Sequence, residues 1–163
     1  MYLSYIRLRK FIPLLNVRPL TEADFYAMTD RLGIKVHMMP LEVNGYYLPY
    51  RKQVKRGPLK GKVEMEPHIH INQALTGYYW LETAYHELVH YLLHLPLYAG
   101  DAQFSRLLSK TRCRILSKQE HEARSLALIA LIPSCLLTDW DLLSEYADEM
   151  IERRVRVWKD YRI

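Results

Sequence analysis

Cysteine is scarce in this chain, with only Cys113 and Cys135 among 163 residues. The two lie in different segments without paired spacing, which excludes a disulfide scaffold and a cysteine-built zinc site and leaves both as expected free thiols. Long apolar runs are also missing. No stretch approaches the roughly 18 apolar residues of a membrane span, so no membrane contact is expected. The opening Met1-Tyr-Leu-Ser-Tyr-Ile-Arg-Leu-Arg-Lys10 breaks its apolar residues with charge too early for a signal-peptide core, which points to a cytoplasmic location. Neither internal repeats nor low-complexity tracts occur. What remains is a chain with 50% hydrophobic residues, enough for one compact domain with a real core and too short for a second of ordinary size.

Acidic residues are outnumbered, giving a formal net charge of +5, and much of the excess falls in Arg51-Lys-Gln-Val-Lys-Arg-Gly-Pro-Leu-Lys-Gly-Lys62. A basic run of this kind can meet nucleic acid or an acidic protein. Two glycines, a proline and the lack of aromatics favour a solvated loop instead.

The chemistry is concentrated in Ala84-Tyr-His-Glu-Leu-Val-His-Tyr-Leu-Leu-His94. Residues four apart share one face of a helix, so His86 and His90 can direct imidazole nitrogens at one metal ion. Glu87 sits one step round the helix, placed to handle a proton of water. This is the zinc-hydrolase pattern HExxH. Leu81, Ala84, Leu88, Val89, Leu92 and Leu93 surround the polar trio, as suits a helix buried on most sides.

Around this helix the coarse pattern predicts a small sheet and further helices. Thr21 with Asp24 reads as a capping box, and Phe25, Met28 and Leu32 recur at helical spacing until Gly33. Residues 34–38 alternate as a strand in which His37 faces outward. Asn44-Gly45 turns into Tyr46-Tyr-Leu-Pro-Tyr50, and Pro49 suggests an edge or bulge. In His68-Ile-His-Ile-Asn72 the isoleucines face the core and the histidines the other side. A His-x-His pair can bind metal, but without a third ligand nearby in sequence it reads as ordinary polar facing. The HExxH helix is expected from near Tyr79 to Leu95-Pro96, and a short helix capped by Asp101 is possible after it.

A catalytic zinc takes three protein ligands and keeps one position open. His94 lies about 12 Å along the helix from His86, too far to share an ion. The third ligand is therefore sought in Ser117-Lys-Gln-Glu-His-Glu-Ala-Arg-Ser-Leu-Ala-Leu-Ile-Ala-Leu-Ile-Pro133. Ser117 with Glu120 matches a capping box, which would give Glu120 a structural task. Glu122 shares its face with Leu126, Ile129 and Ala130, and a carboxylate on a buried stripe is costly unless paired or metal-bound. Glu122 is assigned as the ligand in preference to Glu120 and His121.

The two segments together, with the strand ending Ile-x-Ile-Asn72 before them, resemble the ImmA/IrrE family of metallopeptidases, whose second signature runs roughly E-x-E-A-N-x-F-A-x-x-L-L-M-P. The likeness spans most of residues 20–135. It implies His86, His90 and Glu122 as zinc ligands and Glu87 as general base, in an intracellular protein of a bacterium, phage or mobile element that cleaves a repressor-like protein substrate. Tyr85, Val89 and Arg124 depart from the family pattern, the last where a small amide or carboxylate would steady the ligands. The metzincin extension is absent, since Leu93 and Pro96 stand where it needs Gly and His.

After Pro133, Thr138-Asp-Trp-Asp-Leu-Leu143 and Asp148-Glu-Met-Ile-Glu152 open helices with acidic first turns. Ile151, Val155 and Trp158 would form an apolar face opposite Arg153, Arg154 and Arg156; the family resemblance implies a small docking helix pair here, and nucleic acid at the arginine face is not the favoured partner.

The expectation is thus a single α+β, zincin-like domain over 1–163, with a catalytic core at about 20–135 and a helical extension at 136–163. A small, mostly antiparallel sheet would lie beside two helices joined through Zn2+. The strand at 68–72 could pair with an extended substrate. Tyr78, Tyr79, Tyr98 and the histidines stay open as oxyanion partners. The rival is a non-catalytic, zinc-stabilised regulatory module that binds a repressor or DNA.

Overall fold

A computed structural model describes residues 1–53, 63–94 and 109–163, and for 49–53, 63–65 and 109–116 the backbone alone. Most of the basic run, Asp101, Tyr98 and the Cys113 thiol therefore lie outside the described residues, although Arg51 to Gln53 already belong to a strand. Among the described residues the chain forms an α+β fold of six α-helices and a three-stranded sheet. No described helix is long and apolar enough to cross a membrane.

Helix α1 spans Tyr2–Phe11. Tyr5 and Leu8 are buried three residues apart on one face of it, and Ile12 and Leu15 are buried in the turn that follows. Helix α2, Glu22–Arg31, starts at the expected capping box. Thr21 Oγ1 accepts from the Asp24 amide at 3.3 Å, and Asp24 Oδ2 accepts from the Thr21 amide at 2.8 Å. Arg18 grips the same carboxylate at 2.7 and 2.8 Å, and that hydrogen-bonded pair holds Asp24 well below the usual carboxylate range. Gly33, at φ +67°, ends the helix in the left-handed region.

Strands β1 (Lys35–Met39), β2 (Gly45–Gln53) and β3 (Val63–Asn72) align in the order β1-β3-β2. The sheet is mixed: β1 runs parallel to β3, and the longer pairing, of β2 with β3, is antiparallel. β3 is thereby the central strand, so both its edges are taken. It cannot receive an extended substrate, and that possibility passes to β2, whose outer edge no described strand pairs.

Alternation divides the sheet into two faces. Ile69 and Ile71 are fully buried, and their partners Tyr47 and Gly45 lie against helix α3, Gly77–Leu93. The Tyr47 ring meets Tyr91 of α3 edge to face at 5.5 Å. His37, His68, His70 and Tyr46 occupy the opposite face. Tyr85, large where the resembling family has a small residue, is fully buried among the α2 residues, with its ring 5.8 Å from Phe25 and its hydroxyl donating to Thr21 O at 3.0 Å.

Helix α4 runs unbroken over Ser109–Leu131, and from Ser125 to Ile132 every residue is buried. The capping box read at Ser117 and Glu120 does not form. Ser117 is interior to a helix that begins eight residues earlier, and its neighbours' amides are spent within the helix.

A 3-10 turn at Ser134–Thr138 leads to α5, Trp140–Leu143, and α6, Asp148–Tyr161. Of the expected arginine face of α6 only Arg156 is exposed. Arg154 is fully buried, donating from Nε to Ile132 O at 2.6 Å and from Nη2 to Ser134 Oγ at 3.0 Å, and burial pushes it down to about 10. Arg153 pairs with Glu82 of α3. The face turned inward carries Met150, Arg154 and Val157 rather than Ile151, Val155 and Trp158. The expected polar side of the helix thus locks it to the core.

Gly45 is where β2 and α3 come closest. A Cβ there would stand 2.7 Å from Thr83 Cγ2 and 2.9 Å from the His70 carbonyl oxygen, and the second of these cannot swing aside. Gly45→Ala should therefore cost about 1 to 3 kcal/mol of unfolding free energy by denaturant titration. A variant as stable as the parent would mean that the strand and the helix do not meet this tightly.

Candidate metal centre

His86 and His90 sit on one face of α3 with their Nε2 atoms 3.0 Å apart. The carboxylate that joins them is Glu120. Its Oε2 is 3.3 Å from His86 Nε2 and its Oε1 is 3.2 Å from His90 Nε2. The three donors are close enough to one another to hold one metal ion.

The fit to zinc can be judged from this triangle. Ligand bonds of 2.0–2.1 Å at tetrahedral angles put neighbouring donor atoms roughly 3.3 Å apart. The imidazole nitrogens are 3.0 Å apart and each meets a different oxygen of Glu120, at 3.3 and 3.2 Å, so a turn of the carboxylate would bring one oxygen to both. Two imidazoles and one carboxylate are also a common donor set for a catalytic zinc.

Glu122, the ligand expected from the sequence, is elsewhere. Two residues apart on a helix point about 200° apart, so Glu120 and Glu122 leave α4 on opposite flanks. Glu122 Oε2 meets His94 Nε2 at 3.0 Å, and its Oε1 meets the Met1 ammonium at 3.2 Å. Burial alone would raise this carboxylate, but hydrogen bonds from Ser4 and His94 and the N-terminal charge outweigh it and hold it below the ordinary value. Glu122 is thus a carboxylate that needs a partner, and in this structure His94 and the Met1 ammonium supply it.

Glu122 still bears on the centre through His94. His94 Nδ1 lies 3.1 Å from His90 Nδ1, which makes a chain from Glu122 to His94 to His90. One tautomer assignment satisfies every link: His94 Nε2–H donates to Glu122, His90 Nδ1–H donates to His94 Nδ1, and His90 Nε2 is left with its lone pair toward Glu120. This chain supplies the orienting partner that Arg124, in place of a small amide or carboxylate, does not. The helix that delivers Ser4 and Met1 to Glu122 is α1.

Glu87 is 6% exposed. Burial, with a smaller push from Glu120, raises its carboxyl to about 7 against the opposing pull of His86 and the Tyr47 amide. That amide belongs to β2, so this strand also touches the acid beside His86 and Glu120. Burial and the neighbouring His86 push His90 down to about 4, favouring the neutral form that a metal requires. The hydrogen bond with His86 keeps Glu120 ionised.

Of the other expected participants, Tyr78 is turned to Glu145, 3.5 Å from its hydroxyl, and stacks on Tyr146 at 4.3 Å. Tyr79 is half exposed on the first turn of α3. His121 is exposed and nearest the Tyr161 hydroxyl at 3.5 Å. His37, His68 and His70 form a cluster of their own on the far face of the sheet.

The two glutamates can be separated by zinc titration against a chromophoric chelator. Glu120→Ala should lose zinc affinity as severely as His90→Ala, whereas Glu122→Ala should keep the site and weaken it about 10- to 100-fold, as removal of an orienting partner does. Loss of zinc from Glu122→Ala with full retention in Glu120→Ala would reverse the assignment. No protein-family model matches the chain and no curated protein sequence matches it, so the case for its chemistry rests on these side chains and on the two motifs in its sequence.

Proposed function

We propose that this protein is a zinc-dependent endopeptidase of the ImmA/IrrE type, built on a zincin-like arrangement of sheet and active helix. The observation that carries the proposal is the triangle of His86, His90 and Glu120 with a buried carboxyl, Glu87, at its side. The HExxH motif and the α+β architecture agree with it, while the second motif supplies its carboxylate from Glu120 rather than from Glu122.

His86, His90 and Glu120 would hold the ion. Zinc, when bound there, supplies Lewis acidity, polarising a carbonyl group and easing the loss of a proton from water. The protein supplies the rest. Glu87, raised to about 7, is matched to proton transfer near neutral pH. It takes a proton as the water oxygen joins the peptide carbonyl carbon, and returns it to the amine nitrogen as the C–N bond breaks. The Tyr47 N–H keeps the carboxylate aimed, and the low exposure of Glu87 keeps bulk water from taking over the exchange.

The substrate is a protein met in extended form. The outer edge of β2 runs beside Glu87, and an extended segment that added to this edge would carry its carbonyl groups past the metal ligands. By resemblance, a repressor-like protein inside the same cell is the expected target. Nucleic acid is not favoured as a partner, since Arg153 and Arg154 are committed within the fold.

Glu87→Gln tests the reading. It removes the base and keeps size and packing, so zinc content and melting temperature should stay near those of the parent. Cleavage of a cognate repressor, or of a peptide library scored by mass spectrometry, should fall by at least 10²- to 10⁴-fold. Unchanged activity in a folded, zinc-loaded Glu87→Gln protein would reject the peptidase and favour a module that acts by contact.

A further inference from the structure

The His-x-His pair on β3 finds in space the third imidazole that it lacks in sequence. β1 runs parallel to β3 with His37 opposite His70, and strict alternation puts His37, His68 and His70 on the sheet face away from α3. His37 Nε2 is 2.8 Å from His68 Nδ1. The three rings stack, with centroids 5.0 Å apart for His37 and His68, 4.8 Å for His37 and His70, and 6.1 Å for His68 and His70. One nitrogen from each ring lies within 4.8 Å of the other two.

We propose that His37, His68 and His70 form a second metal site, separate from the centre on α3, that takes a divalent ion of imidazole preference, zinc or copper(II), and ties β1 to β3. Three imidazole nitrogens are a sufficient donor set for such ions, and copper(II) binds them more tightly than zinc. To reach the roughly 3.3 Å spacing of donors around one ion, the closest pair must open by about half an ångström and the widest must close by no more than about 1.5 Å. Rotation of the rings about their side-chain bonds covers both changes without moving the strands.

The surroundings suit ligation. Glu66 lies 3.4 Å from His68 Nε2, a carboxylate on the outer nitrogen that leaves Nδ1 to face His37, the usual way in which a ligating histidine is oriented. Lys35 pairs with the same Glu66 and fixes it in turn. Met39 brings a thioether to 3.2 Å from His70 Nδ1, and Tyr46 covers the His70 ring at 4.8 Å between centroids. His70 is buried, and burial with its two neighbours lowers its tendency to take a proton, leaving the form that binds metal.

This site stands whether or not the α3 centre is a peptidase, and its test is arranged to keep them apart. The protein with His86→Ala and His90→Ala, its strand histidines intact, is dialysed against Zn2+ alone and, separately, Cu2+ alone, and bound metal is measured per chain. One equivalent of at least one ion is expected, with Cu2+ showing nitrogen hyperfine structure in its electron paramagnetic resonance spectrum. Adding His37→Gln should remove that equivalent while circular dichroism stays unchanged. Should the double variant not fold, the parent protein serves: two equivalents are expected, falling to one with His37→Gln. Absence of the strand equivalent for both ions, or its persistence after His37→Gln, would overturn the site.

Discussion

The contact between α3 and α4 is the constraint on which the rest of the protein depends. Two helices separated in sequence by a long connection are pressed together so that six ionisable groups meet between them: His86, Glu87, His90 and His94 from one, Glu120 and Glu122 from the other. Ordinary helix packing would fill this space with leucine, and below it does so, with Leu126, Ile129 and Leu88 fully buried. The apolar part of the interface supplies the binding energy that holds the polar part in register. β2 closes the third side, through the glycine that lets it approach Thr83 and the amide that it offers Glu87.

Electrostatically the cluster sorts its members into roles. Desolvation pushes Glu87 toward its protonated form and His90 toward its neutral one, while hydrogen bonds keep Glu120 and Glu122 ionised. Neutral imidazoles and an ionised carboxylate are what a divalent ion needs as ligands, and a carboxyl poised near neutrality is what proton transfer needs. The two glutamates on α4 divide in the same way: one faces His86 Nε2 and His90 Nε2, and the other reaches the back of His90 through His94.

How much of this was legible in the sequence depended on whether a feature was local. The capping box of α2, the HExxH helix and the alternation of Ile69 and Ile71 rest on neighbouring residues, and they are found where local patterns place them. The sequence favoured Glu122 over Glu120, because the choice turns on where α4 begins and that start is not legible locally. A helix that starts at Ser109 makes Ser117 an interior residue and frees Glu120 from capping, while Ser4 and the N-terminus satisfy Glu122. Pairing was equally hidden. His37 looked like a plain outward residue until β1 took a parallel place beside β3, and that same arrangement denied β3 a free edge. The spacing of Tyr5, Leu8 and Ile12, by contrast, was a signal for α1 available in the sequence itself. Arg154 misled because a charge at helical spacing normally marks the solvent side, whereas here carbonyl and hydroxyl oxygens draw it inward.

The central claim is that one zinc ion is held by His86, His90 and Glu120. Anomalous diffraction from zinc-loaded crystals, collected on both sides of the zinc absorption edge, tests it directly. The account predicts a difference peak about 2 Å from His86 Nε2, His90 Nε2 and a Glu120 oxygen, with Glu122 still on His94. A peak bonded to Glu122 in place of Glu120, or none beside His86 and His90 in zinc-loaded crystals, would contradict it.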